Sequence, residues 1–201
     1  KAGKDHNATQ VTVANQPEIR SGQISEKNNL KLLHFDGNQS LTFPEISQGR
    51  TFFWIVSKHS SSGDAAQFFS FNENDSWAHQ SYGRFFDGGN LDSSIRTGVA
   101  YKNGEVINMF GYGRLFESDL QILCLSTSGF VPSNTIGKRA TNGIHFIGLI
   151  GEILIFDRVL STTEIETVEK YLGQKWGISI SHDTTPSPTG NPPTFSVTPA
   201  N

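Results

Sequence analysis

Between Trp77 and Asn90 the chain interleaves aromatic rings with planar polar side chains, an arrangement suited to sugars. A pyranose offers an apolar face that stacks on a ring and hydroxyls that pair with amide, guanidinium, imidazole and carboxylate groups. Trp77, His79, Tyr82, Arg84 and Asp87, with Tyr112 and Arg114 further on, are therefore the candidate carbohydrate-binding residues. Core aromatics in strands sit among Val, Ile and Leu; these sit among His, Gln, Arg, Asp and Gly, which favours display at a surface. The competing reading is that they pack a second sheet, and a strand would turn only one of Phe85 and Phe86 outward.

The densest cluster of oxygen ligands is Asn72-Glu73-Asn74-Asp75. Hard cations collect carboxylate, amide and carbonyl oxygens from loops, so Asn72, Asn74 and Asp75 are the candidate calcium ligands. No EF-hand spacing accompanies them, and a solvated polar turn accounts for the same residues.

Catalytic patterns fail at the level of spacing. Retaining glycoside hydrolysis needs two carboxylates about 5–5.5 Å apart, which positions i, i+2 and i+4 of one strand could supply. The nearest strand, Glu152 to Asp157, carries Leu154 and Phe156 at those positions. Glu152 is expected to cap or pair at the strand start, and Asp157-Arg158 to form an ion pair in the turn. No G-x-S-x-G elbow occurs, and none of the six His lies in a motif that would orient it as a base. No H-x-x-x-H or C-x-x-C offers a zinc site. The expectation is a protein that is not an enzyme and requires no cofactor, calcium being the one metal the sequence accommodates.

The elements that must position these residues are mostly strands. Lys and Arg number 16 against 19 Asp and Glu, a net charge of −3 in 201 residues, with a pI near 6.1. A nucleic-acid footprint needs a basic face, so none is expected. No apolar run approaches the ~18 residues of a membrane span. Leu30–Phe35 and Ser40–Phe43 read as strands joined by the turn Asp36-Gly37-Asn38, and Thr51–Ser57 as a central strand. Further strands are expected at 67–71, at 99–101 and 105–108 around Lys102-Asn103-Gly104, at 120–127 and at 150–157. Ser161-Thr162-Thr163-Glu164 is a capping box. Ile165, Val168, Leu172 and Trp176 then form one apolar stripe, with Trp176 facing the core. The single cysteine, Cys124, lies in an apolar strand-like run and reads as a buried, inert thiol. Five of the eight prolines fall between 186 and 199, so 181–201 reads as a Pro/Thr/Ser-rich linker to a following domain or partner. The start at Lys1, without Met, suggests a processed or excised segment.

Three stretches carry a family resemblance. Asp5 to Gln10, followed by Ala14-Asn15-Gln16-Pro17, is similar to a "GN-ATQ…NQP" opening. Leu33-His34-Phe35-Asp36-Gly37 is similar to an "L-x-F-D-G" strand and turn. Phe146 to Ser161 resembles "F-x-G-x-I-x-E-[IV]-x-[IV]-[YF]-[DN]-R-x-L-S", which leads here to a helix ending Tyr171-Leu172-Gly173-Gln174-Lys175-Trp176-Gly177. On these residues the chain resembles the concanavalin A-like lectin/glucanase superfamily, in its bacterial extracellular laminin-G-like form. The resemblance covers most of 5–177 and is weak through 72–118. It implies an all-β fold, an antiparallel jelly-roll β-sandwich with one C-terminal α-helix packed on it, over 1–180. The glucanases of the superfamily carry an E-x-D-x-E strand that is missing here, whereas its laminin-G-like domains often hold calcium in rim loops. A "W-L-D-A-S" first strand is absent before position 1, and Ser126–Thr135 is shorter than the usual hairpin with its "Y-V-N-G" turn. Both departures would leave a sheet edge to be covered.

Together these point to a non-catalytic extracellular or cell-surface recognition module for carbohydrate binding or adhesion, within a larger secreted protein. Its partner would be a polysaccharide or glycan, with neither nucleic-acid binding nor membrane insertion. The alternative is a structural or assembly domain of a filament, adhesin or viral appendage, contacting neighbouring protein chains through an open sheet edge.

Overall fold

The computed structural model describes residues 7–21, 30–58, 66–67, 69–71, 79–80, 91–108, 119–138 and 145–182. These form a mostly antiparallel β structure with a C-terminal helix. The strands are β1 (Glu18–Ser21), β2 (Lys31–Asp36), β3 (Leu41–Lys58), β4 (Ala66–Gln67), β5 (Phe69–Ser70), β6 (His79–Gln80), β7 (Val99–Lys102), β8 (Glu105–Ile107), β9 (Gln121–Ile136) and β10 (Ile147–Phe156). A one-turn helix α1 (Ser93–Arg96) precedes β7, and α2 (Thr162–Trp176) is the last element among the described residues. The main sheet runs β1-β2-β10-β3-β9-β7-β8, with β5 also on β9; β4 and β6 pair separately.

The apolar run Thr51–Ser57 is central, as its composition predicts: every residue in it is buried, which requires both faces of the sheet to be covered. Alternation splits it between two cores. Phe52, Trp54 and Val56 face Leu123, Leu125, Phe69 and Phe146. Phe53 and Ile55 face Ile122, Cys124 and the α2 stripe Ile165, Val168, Leu172 and Trp176. Cys124 is buried, and burial pushes its thiol pKa well above the usual range, in keeping with an inert thiol.

Two expectations are corrected. Ser40–Phe43 and Thr51–Ser57 are one strand, β3, and β3 is not paired with β2, because β10 lies between them. The turn at Asp36-Gly37-Asn38 thus joins strands that are not neighbours. Likewise 120–127 is only the first half of β9, which continues to Ile136 where an abbreviated hairpin was expected. β3 and β9 stay paired from Leu41↔Ile136 to Val56↔Gln121, with register shifts between Thr42 and Thr51. Pro44, which has no N–H to give a ladder, falls inside the first shift. The strand bends there. The Phe69 ring lies 5.9 Å from Phe43 and 5.6 Å from Trp54, positions that a straight strand would hold ~36 Å apart.

The β7–β8 hairpin forms as predicted. Asn103 (φ 49°) and Gly104 (φ 87°) supply the two positive φ angles of a type I′ turn.

Helix α2 starts at the predicted box. The Ser161 hydroxyl accepts from the Glu164 amide at 3.4 Å, and Glu164 Oε2 accepts from the Ser161 amide at 2.9 Å. Arg158 does not pair with its neighbour Asp157 as expected. Its guanidinium forks onto Glu164, with Nη2 to Oε1 at 2.6 Å and Nη1 to Oε2 at 3.0 Å, because the capping box already turns that carboxylate back toward the strand end. These bonds, Arg158 first, hold the Glu164 pKa down at about 2. Its stabilising contribution is therefore present above its ordinary value of 4.5 and is lost as pH falls toward 2. Ser161→Ala is expected to cost about 1 kcal/mol, read as a lower urea midpoint at pH 7.

Gly151 and Glu152 occupy the register shift in β10 and anchor the other end of α2. A side chain at Gly151 would meet the Trp176 indole, 2.6 Å from Cη2. Glu152 Oε2 accepts from Trp176 Nε1 and from Lys175 Nζ, each at 2.8 Å. Glu152 is thus paired, as expected, and it staples the helix to the sheet.

Candidate functional site

The described residues enclose an open bowl of about 280 Å³, lined by Thr9, Gln10, Val11, Asn15, Asn38, Ser40, Thr42, Lys138 and His145. That is close to the lower end of small-ligand pockets, about 300–1,000 Å³. One wall is the N-terminal segment laid across the start of β3. The Thr9 amide donates to the Thr42 carbonyl at 2.7 Å, and the Thr42 amide donates back at 2.9 Å. A single 3-10 turn, Val13–Asn15, then brings the Asn15 carbonyl to the Ser40 amide at 3.0 Å. The opposite wall is the bridge between Lys138 and His145.

Within the bowl, Gln10 is a brace. Its Nε2 donates to the carbonyl and hydroxyl oxygens of Ser40, both at 3.1 Å, and its Oε1 accepts from the Thr12 amide at 3.0 Å. Ser40 is buried at the floor, whereas Asn15 and Asn38 stand exposed at the rim. The Asn38 backbone amide donates to Gln39 Oε1 at 3.4 Å. That side-chain oxygen also accepts from the Asp36 amide at 2.6 Å, which fixes the turn that carries Asn38. The lining therefore offers three carboxamides, three hydroxyls, one imidazole and one ammonium, and no carboxylate. It can pair with hydroxyls from several directions, but it holds no acid–nucleophile pair.

Of the residues singled out from the sequence, Trp77, Tyr82, Arg84, Asp87, Tyr112 and Arg114 lie outside the described residues, as do Asn72, Asn74 and Asp75. His79 is described in its backbone alone, opposite Gln67 in the β4–β6 pair. The bowl joins residues that sequence reasoning marked only as motif: Thr9, Gln10 and Asn15 belong to the first stretch of resemblance, and Asn38 follows the second. Small polar side chains carry no burial signal of their own, so those motifs are the one trace of the bowl in the sequence.

Among the described residues no group of three or more His, Cys, Asp or Glu side chains could hold a metal ion, and no helix is long and apolar enough to cross a membrane. Comparison with protein-family models, with curated proteins and with solved structures returned no match.

Proposed function

We propose that the chain is a non-catalytic recognition module for a neutral, hydroxyl-rich ligand, a glycan, displayed at a cell surface or in a secreted protein. The fold it would use is a concanavalin A-like jelly roll, a reading supported by the bend that folds β3 and β9 over one buried face. The observation that carries the ligand class is the lining of the bowl: three carboxamides and three hydroxyls beside one imidazole and one ammonium, with no carboxylate. Such a lining suits sugar hydroxyls better than a basic or apolar partner.

A glycan array probed with the 201-residue chain tests this. Binding to at least one neutral glycan is expected, weakened about five- to tenfold by Asn38→Ala, the loss of one or two ligand hydrogen bonds. Trp77→Ala is expected to weaken it further through lost stacking. Cleavage of any polysaccharide would overturn the non-catalytic reading.

A second reading, an assembly domain, is favoured by one observation. Ile19, on β1, the last strand at one end of the described sheet, is 62% exposed. No glycan binding, together with concentration-dependent self-association in sedimentation, would replace the first reading with this one.

A further inference from the structure

The imidazole of His182 sits between two acceptors. Its Nδ1 is 3.4 Å from the Gly104 carbonyl oxygen, and its Nε2 is 3.7 Å from Glu169 Oε2. Glu169 projects from α2 with its side chain 1% exposed, and its other oxygen accepts from the Gly104 amide at 3.3 Å. One residue earlier, the Ser181 amide donates to the Asn103 carbonyl at 2.9 Å. Asn103 is itself tied to β9, its Oδ1 accepting from the Ile122 amide at 2.8 Å. The last described residues of the chain are thus pinned to the tip of the β7–β8 hairpin, beyond the boundary at 180 expected from the sequence.

Hydrogens are short in this arrangement. Glu169 Oε2 and His182 Nε2 are both buried without a hydrogen-bond partner, and they face one another. Joining them and also satisfying the Gly104 carbonyl takes two hydrogens, whereas a neutral imidazole carries one. The second must be a proton held by the pair, on the imidazole or on the carboxyl. When it leaves, a lone pair of Nε2 faces a buried carboxylate, or a lone pair of Nδ1 faces the carbonyl. The other titratable groups around Glu169 cannot supply it: Tyr101 on β7, Cys124 on β9 and Glu166 on α2 all add negative charge or none.

We propose that Glu169 and His182 form a proton-dependent clasp that fixes the C-terminal exit of the domain to the β7–β8 turn and loosens as pH rises. The sequence after His182 is rich in Pro, Thr and Ser, and the clasp holds the residues that lead into it. The clasp is independent of the ligand bowl. In support, burial raises the Glu169 pKa from 4.5 to about 7, so this carboxyl loses its proton near neutral pH.

Hydrogen-exchange protection factors at the Ser181 amide test it on the 201-residue chain, with the Val168 and Leu172 amides of α2 as folding controls. Protection at Ser181 is expected to fall at least about tenfold between pH 6 and pH 8.5. In His182→Gln it should be low at both. In Glu169→Gln, whose amide carries the missing hydrogen permanently, it should stay high at pH 8.5. Equal wild-type protection at the two pH values would overturn the proposal, as would an unchanged pH dependence in either variant. If one variant loses protection in α2, the other decides by the same criterion.

Discussion

Gly49→Ala is expected to lower the unfolding free energy by about 2–3 kcal/mol, although it adds a single methyl group to a strand. A Cβ at this position would fall 2.7 Å from Phe52 Cε1, closer still to Cζ, and 3.1 Å from the Val131 carbonyl oxygen. The ring cannot step aside. Phe52 is fully buried, stacked 5.7 Å from Trp54 and set edge-on at 6.3 Å to Phe69. The alternative, moving backbone, would open the β3–β9 ladder at its bend. Overpacking of this kind costs about 1–3 kcal/mol and sometimes more. Gly177→Ala provides the contrast: it meets nothing within 4 Å and adds only the strain of a left-handed φ, about 1 kcal/mol. Urea denaturation of both variants checks the prediction, and an equal loss in the two would refute the part assigned to the bend.

That bend also marks where the sequence stopped being legible. The near-continuous apolar run Thr51–Ser57 marked a central strand, and each side chain's face then follows from its parity alone. The capping box and stripe of α2 were legible for the same reason: helix signals act over three or four residues. The bend depends instead on Gly49 meeting Phe52 and on register shifts around Pro44, and neither has a meaning until β9 is in place. The insertion of β10 between β2 and β3 rests on pairings across 90 to 117 residues, which the turn at Asp36-Gly37-Asn38 does not encode. Arg158 shows the same limit on a small scale. Adjacent opposite charges suggested a pair with Asp157, but a helix that turns Glu164 back toward it offers two aligned oxygens.

The candidate site divides in the same way. Aromatic content marked 77–90 because rings beside polar groups are unusual in a strand. The bowl is built by residues as ordinary as Thr9, Asn15 and Ser40, brought together by a bridge of residue 9 to residue 42. Glu169 and His182 stand 13 residues apart with α2's end and a turn between them, so no motif spacing could join them. Glu152 is the instructive intermediate. Its pairing was expected from the lack of partner carboxylates along its strand, but its partners, Trp176 and Lys175, come from the helix that its own neighbour Gly151 leaves room for.

Glu169→Gln is expected to stabilise the protein at alkaline pH by up to about 3 kcal/mol and to leave it nearly unchanged at pH 4. The sign follows from burial. A carboxyl whose pKa rises from 4.5 to about 7 on folding binds its proton more tightly in the folded state. The stability tied to it is complete below pH 4.5, is lost as pH rises to 7, and stays lost above. A shift of that size corresponds to about 3 kcal/mol. Glutamine keeps the shape, can still accept from the Gly104 amide and can donate to His182 Nε2, but it never ionises. Wild-type stability should therefore fall from pH 4.5 to 7 relative to the variant, the two curves diverging over that interval and running parallel beyond it. Urea midpoints at pH 4, 5.5, 7 and 8.5 read the divergence directly. A variant less stable than wild type at pH 8.5 would mean that the Glu169 carboxylate is compensated in the fold, and that the strain assigned to its ionisation is absent.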